Sequence, residues 1–306
     1  MNRSLKLDGA SWAMIGAMSL LWGSAFFLIE IGLRTIAPNT LVLLRMGIAA
    51  PFMLLALYLL KEKLPTDWVS WRQLFILGAL NAALPFILFF WGQQKLDNSG
   101  YASILNATTP LWGVIIAHFL TDDEKATRVR VLGVLLGLAG IIVMVGPEVM
   151  KGVSQNLLAQ IACLVSTLFY GYAAIYGRRL GKSNMTPMVV ATGQVITAAL
   201  IMLPIALITD RPWERPLPTT ESMLSAVALA IPATAVAYLL YFKTIDRAGA
   251  TNAMLVAFIM PVIAIALGIA FLGEHLNQGQ IIGAVLIAFG LVIIDGRLLA
   301  RFRNVP

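Results

Sequence analysis

The chain has little that an enzyme would need. Among 306 residues there is one cysteine, Cys163, and there are two histidines, His118 and His275. A single thiol makes no internal disulfide and no thiolate metal cluster. The two histidines fall near the ends of apolar segments on opposite sides of the topology read below, so they cannot share a metal or serve one serine. No G-x-S-x-G nucleophile elbow is present. Charge is scarce as well: Asp, Glu, Lys and Arg make up 12% of the chain, against about 25% in soluble domains. These absences leave no catalytic residue, metal or cofactor to expect.

Apolar residues fill the space, at 59% of the chain with a mean hydropathy of +0.84. Crossing a hydrocarbon layer of about 30 Å takes about 20 helical residues. Ten stretches meet that requirement: about 10–31, 39–60, 73–94, 98–120, 131–147, 156–178, 186–209, 222–243, 249–272 and 279–298. They form an all-α membrane protein with short loops and no room for a soluble catalytic or nucleotide-binding domain. The first stretch ends at Glu30 and not at an A-x-A cleavage site, so it reads as a retained span and not a secretion signal.

The isoelectric point near 9.7 reflects topology, and no nucleic-acid partner is expected. With the N-terminus inside, 16 Lys and Arg residues fall in cytoplasmic segments and 5 on the other side, while Arg45 lies within a span. The positive-inside rule then puts both termini in the cytoplasm, with the loop around Arg178 to Lys182 inside and Lys151 outside.

The chain also repeats itself. Gly133 to Val143 (GVLLGLAGIIV) is answered 150 positions on by Gly283 to Ile293 (GAVLIAFGLVI). Glu124 answers Glu274, Ala83-Leu84-Pro85 answers Ala230-Ile231-Pro232, and Leu21-Trp22-Gly23 answers Phe169-Tyr170-Gly171. Two five-span units follow, 1–150 and 151–306. Five is odd, so the second unit starts from the opposite side. The loop after span 4 carries Lys125, Arg128 and Arg130, and its counterpart after span 9 carries no Lys or Arg, as inversion requires. Inverted repeats are a recurrent plan of secondary transporters, with the substrate site between the halves.

Leu21 to Ser24 (LWGS) in span 1, Leu44-Arg45 in span 2, the Phe271 to Glu274 turn (FLGE) and the glycine-rich spans 5 and 10 resemble the drug/metabolite transporter superfamily, in its ten-span EamA-type exporter branch. The chain is similar there to bacterial exporters of amino acids, aromatic ones included. Thr121 to Glu124 (TDDE) departs from the turn motif in the first copy. The resemblance implies alternating-access export of small amphipathic metabolites, amino acids foremost, across a bacterial inner membrane by a monomer or weak homodimer. Proton-coupled export of drugs and other toxic amphiphiles is the alternative it leaves.

Intramembrane polar and aromatic residues are the candidates for the substrate site, since amides facing lipid are costly. They are Trp22 in span 1, Asn81 in span 3, Tyr101, Ser103, Asn106 and Thr109 in span 4, Tyr170 in span 6, Tyr238 and Tyr241 in span 8, and Asn252 in span 9. Pro85, Pro110, Pro232 and Pro261 fall in spans 3, 4, 8 and 9, which pair under the repeat, and are expected to act as hinges or cavity walls. Spans 1, 3, 4, 6, 8 and 9 are expected to wall the cavity, spans 2 and 7 to move, and spans 5 and 10 to form a packing base. Arg45, about 9 Å from the outer end of span 2 at 1.5 Å per residue, is expected to snorkel outward or pair with Glu30; binding a substrate carboxylate is the sharper alternative. No acid lies at mid-membrane, which favours uncoupled, gradient-driven exchange.

Overall fold

A computed structural model describes residues 8–96, 98–122, 125–150, 154–180 and 185–295. Among them there are helices and no strands. Span 1 is Gly9–Leu33, span 2 Pro38–Leu59, span 3 Trp68–Leu96, span 4 Ser99–Leu120 and span 5 Arg128–Met150. Span 6 is Gln155–Leu180, span 7 Pro187–Thr209, span 8 residues 220–248, span 9 residues 250–272 and span 10 Gln278–Asp295. Among the described residues nine helices are long and apolar enough to cross a bilayer by themselves. Span 9 reaches that length only by joining Ala250–Ala253 to Val256–Leu272. Glu124, Lys151 and Lys182, on which parts of the topology and repeat reading rest, lie outside the described residues.

Caps set where the helices begin. Asp8, Asp67, Asn98, Thr186 and Thr219 each accept a backbone N–H from the first turn of spans 1, 3, 4, 7 and 8. Such a side chain satisfies one of the N–H groups that a helix start leaves unpaired. Several helices overrun the apolar stretches by a turn, as span 3 does by starting at Trp68, because Trp and Arg tolerate the headgroup region. Large apolar residues such as Ile142, Ile208 and Phe289 are exposed on the outside, where lipid is their partner.

The packing is two-fold in its logic. Span 1 rests on spans 8 and 9, and its counterpart span 6 rests on spans 3 and 4. Span 2 meets spans 7 and 8, while span 7 meets spans 2 and 3. Spans 5 and 10 pair with each other. Exchanging the two halves maps each of these contacts onto another, as inverted five-helix repeats require. The glycine stripes explain the last pair: a Cβ on Gly140 would stand 2.7 Å from the Gly283 carbonyl oxygen, and one on Gly133 2.7 Å from that of Gly290. Small residues permit this close backbone approach, on which helix association in lipid depends. The stripes are therefore a seam within the chain.

Backbone irregularity concentrates in the repeat-related spans 3, 4, 8 and 9. Span 3 contains a π-helical turn at Ala79–Ala83, just before Pro85, and span 8 one at Ile231–Val236, around Pro232. Span 4 is interrupted between Asn106 and Thr109, ahead of Pro110, and span 9 between Ala253 and Val256, ahead of Pro261. Proline alone does not do this, because Pro51 and Pro204 sit inside spans 2 and 7, which stay continuous.

Candidate functional site

Arg45 does not snorkel. It is 7% exposed, and its Nε donates to Thr234 Oγ1 in span 8 at 3.0 Å. Its Cζ stands 4.6 Å from the centroid of the Phe86 ring in span 3. The titratable groups that face it are Tyr170 of span 6 and Tyr238 of span 8. The expected pairing with Glu30 is also overturned: Glu30 accepts from Gln93 Nε2 at 3.2 Å, and Arg45 has no carboxylate partner among the described residues. The reason is local geometry. The Thr234 hydroxyl and the Phe86 ring offer the guanidinium an inward polar and π surface that an outward path does not match.

Beside Arg45 runs a short polar relay. Asn81 Nδ2 donates to Gln194 Oε1 at 3.0 Å, and Gln194 Nε2 donates to the Tyr238 hydroxyl at 2.8 Å. Two aromatic groups flank it. Trp22 lies 6.3 Å from Tyr238 and 5.6 Å from Tyr241, centroid to centroid, and Tyr170 lies 6.2 Å from Phe86. Trp22 and Tyr170 are counterparts in the repeat, so span 1 faces span 8 with one aromatic and span 6 faces span 3 with the other. The glycine after each sets the approach: a Cβ on Gly23 would be 2.9 Å from the Met260 carbonyl oxygen of span 9, and one on Gly171 3.0 Å from Gly113 N of span 4.

Of the residues the sequence singled out, Trp22, Asn81, Tyr170, Tyr238 and Tyr241 thus come together. Others bond to carbonyls three or four residues back along the chain. Ser103 Oγ donates to Gly100 O at 2.6 Å, Thr109 Oγ1 to Asn106 O at 2.8 Å and Asn252 Nδ2 to Ala248 O at 2.8 Å. Tyr101, 3% exposed, packs in the main hydrophobic core. Short polar side chains readily bond a backbone carbonyl three or four residues back, and this local bond competes with one directed across the bundle. Asn106 differs: it is half-buried at the break in span 4, and its amide makes no hydrogen bond among the described residues.

Spans 2 and 7 also contribute to this cluster, supplying Arg45 and Gln194. Gln194 and Phe86 were missed in the sequence. A mid-span amide was the available signal for Gln194; Phe86 carried none, being one Phe among 14.

A ten-span inverted repeat with discontinuous helices and a polar cluster between its halves defines a membrane transporter. The profile of the EamA-like transporter family matches residues 8–146 and 157–295, so the chain belongs to that family. Among its relatives is protein PecM of Dickeya dadantii, 26% identical over 93% of this chain and 92% of the relative. YedA of Escherichia coli K12, described as an uncharacterized inner membrane transporter, is 26% identical over 95% of this chain and 90% of its own length. YoaV of Bacillus subtilis, an uncharacterized transporter, is 24% identical over 91% of this chain and 94% of its length. A crystal structure of another protein superposes with a TM-score of 0.66 at 19% identity, covering 95% of this chain and 99% of that one, which shows a shared fold.

Proposed function

We propose that the protein exports small amphipathic metabolites, amino acids foremost, by alternating access around the cluster of Arg45, Asn81, Gln194 and Tyr238. The observation that carries this reading is the convergence of six spans from both repeats on one buried polar and aromatic group. Intramembrane polar residues facing the bundle interior mark substrate paths. A buried guanidinium also disfavours cationic drugs by like-charge repulsion. Pro85, Pro110, Pro232 and Pro261 serve as hinge points, because each neighbours the irregular backbone of its span. The excess of Lys and Arg on the face bearing the start of span 1 supports a cytoplasmic N-terminus in a bacterial inner membrane.

Uptake of labelled amino acids into liposomes holding the purified protein tests the reading. Saturable flux is expected for members of the panel, and Asn106→Leu and Tyr238→Ala should each lower it about tenfold, the scale of losing one well-packed contact worth ~1–2 kcal/mol. Wild-type flux no faster than in empty liposomes for every amino acid would reject amino acids as substrates. Both variants transporting like the wild type would move the site elsewhere.

A further inference from the structure

We infer that Arg45 is the binding residue for a carboxylate on the transported molecule, with the Tyr238 hydroxyl as a second donor and the rings of Phe86, Tyr170 and Trp22 receiving the apolar body. The inference rests on the transport reading above and names the chemistry that the same site selects.

The argument begins with charge. A guanidinium taken out of water loses several kcal/mol of hydration, and a buried charge is stable only when paired and hydrogen-bonded. Arg45 is more than nine-tenths buried and has no carboxylate partner among the described residues. A guanidinium has five N–H donors. One, at Nε, goes to Thr234, and the face of the group rests on Phe86. The two terminal NH2 groups donate to no described residue. Thr234 Oγ1 also donates to Leu229 O at 2.8 Å, so this hydroxyl is committed at both ends and fixes the guanidinium without neutralising it.

The second donor follows from the relay. Asn81 donates to the Gln194 oxygen, which turns the Gln194 amide N–H toward the Tyr238 oxygen. Tyr238 therefore accepts, and its own proton is directed to no described acceptor. A forked cation and a phenol proton side by side match a carboxylate, which takes bidentate charge-assisted bonds from arginine. A carboxylate arriving with the substrate completes the pair that the fold leaves open, so the binding energy is drawn from a group that is costly when unliganded. The flanking aromatic rings favour an aromatic or aliphatic body on the same molecule.

Heat denaturation and equilibrium binding of the full-length purified protein test this with two probes, L-phenylalanine and phenethylamine, which has the same ring and amine but no carboxylate. L-Phenylalanine should bind and raise the melting temperature of the wild type, as any ligand specific to the folded state does, and phenethylamine should bind at least about tenfold more weakly. Arg45→Gln should lose the response to L-phenylalanine yet melt on the order of 2–4 °C higher than wild type without ligand, because an uncompensated charge has been removed. A purely structural arginine predicts the opposite shift. Arg45→Lys keeps the charge and loses the fork, so it should fold and bind about tenfold more weakly. The inference is overturned if phenethylamine binds as well as L-phenylalanine, if Arg45→Gln keeps wild-type affinity, or if chloride alone gives the full stabilisation. Transport of amines or neutral solutes with no response to any amino or hydroxy acid would defeat it while leaving the transporter reading intact. Absence of flux for every solute would defeat both.

Discussion

Glu62 and Asp210 occupy equivalent places in the two repeats, just past the ends of spans 2 and 7, and each accepts hydrogen bonds from the start of the other's span. Glu62 accepts from the Thr186 hydroxyl at the start of span 7. Asp210 accepts from Thr40 N at 2.7 Å, Thr40 Oγ1 at 3.0 Å and Asn39 Nδ2 at 3.2 Å at the start of span 2. The latches lie on opposite faces of the membrane. Among the described residues they are unequal, because Asp210 is 8% exposed with several donors and Glu62 has one. On the Asp210 face the repeats are also tied by Glu274, which accepts from Ser99 N at 2.7 Å and Gly100 N at 3.0 Å at the start of span 4.

Breaking the stronger latch should therefore open that face. Asp210→Ala strands the Thr40 N–H and removes bonds worth ~1–3 kcal/mol, enough to raise the open population about tenfold or more. Labelling of Thr234→Cys by an impermeant thiol reagent, with Cys163→Ala as background, should accelerate from the Asp210 side and change little in Glu62→Ala. Equal labelling rates with and without Asp210 would show that the latch does not set the equilibrium.

On the other face, Asp8 at the start of span 1 accepts from Arg247 Nε at 3.2 Å, at the end of span 8. The Arg247 guanidinium, followed by the Ser11 side chain and N–H, holds the Asp8 carboxyl well below the usual carboxylate range. A depressed carboxyl stabilises the fold at every pH above its unfolded value, about 3.9, and that contribution fades as pH falls toward the folded value. The melting-temperature gap between wild type and Asp8→Asn should be constant from pH 7 to 5 and narrow below about pH 4. A gap that widens on acidification would assign the effect to another group.

The glycine seam makes a prediction about stability alone. In Gly140→Ala the new methyl meets the Gly283 carbonyl oxygen at 2.7 Å, and backbone cannot swing aside as a flexible side chain would. Overpacking of this kind costs about 1–3 kcal/mol. Gly47→Ala, where nothing lies within 4 Å, should be neutral or stabilising by up to ~1 kcal/mol through helix propensity. Thermal melts of the two proteins in the same detergent separate the cases; similar melting temperatures would show that spans 5 and 10 adjust freely.

Energy coupling is the last expectation. Glu30 lies three residues from the end of span 1 and accepts from Gln93 of span 3, and among the described residues no acid joins the cluster around Arg45. A ligand shifts a two-state equilibrium only by its differential affinity for the two states, and a proton has no evident acceptor at the centre. Flux in liposomes should equilibrate the two sides without concentrating substrate under an imposed pH gradient, and Glu30→Gln should leave it largely intact. Concentrative uptake abolished by Glu30→Gln would make Glu30 the proton site.

Much of the architecture was legible in the residues because membranes simplify the code. A bilayer demands about 20 apolar residues per crossing, which marks each span, and an odd number of spans per repeat forces the inversion. Trp22 and Tyr170 were findable because they are mid-span and repeat-related, and the glycine stripes because lipid rewards small residues at a helix seam. The site was legible only in part. Ser103, Thr109 and Asn252 look like lining residues in sequence, yet each finds a backbone carbonyl three or four residues back and bonds there. Depth along the helix alone places Arg45 toward the membrane surface. Which way it turned was decided by Thr234 and Phe86, 189 and 41 positions further along the chain, and side-chain direction depends on neighbours that only tertiary packing brings together. Sequence alone determined the class of protein and its two-fold plan, while the fold determined which of its polar groups meet, because a hydrogen bond is a statement about distance and angle and not about residue type.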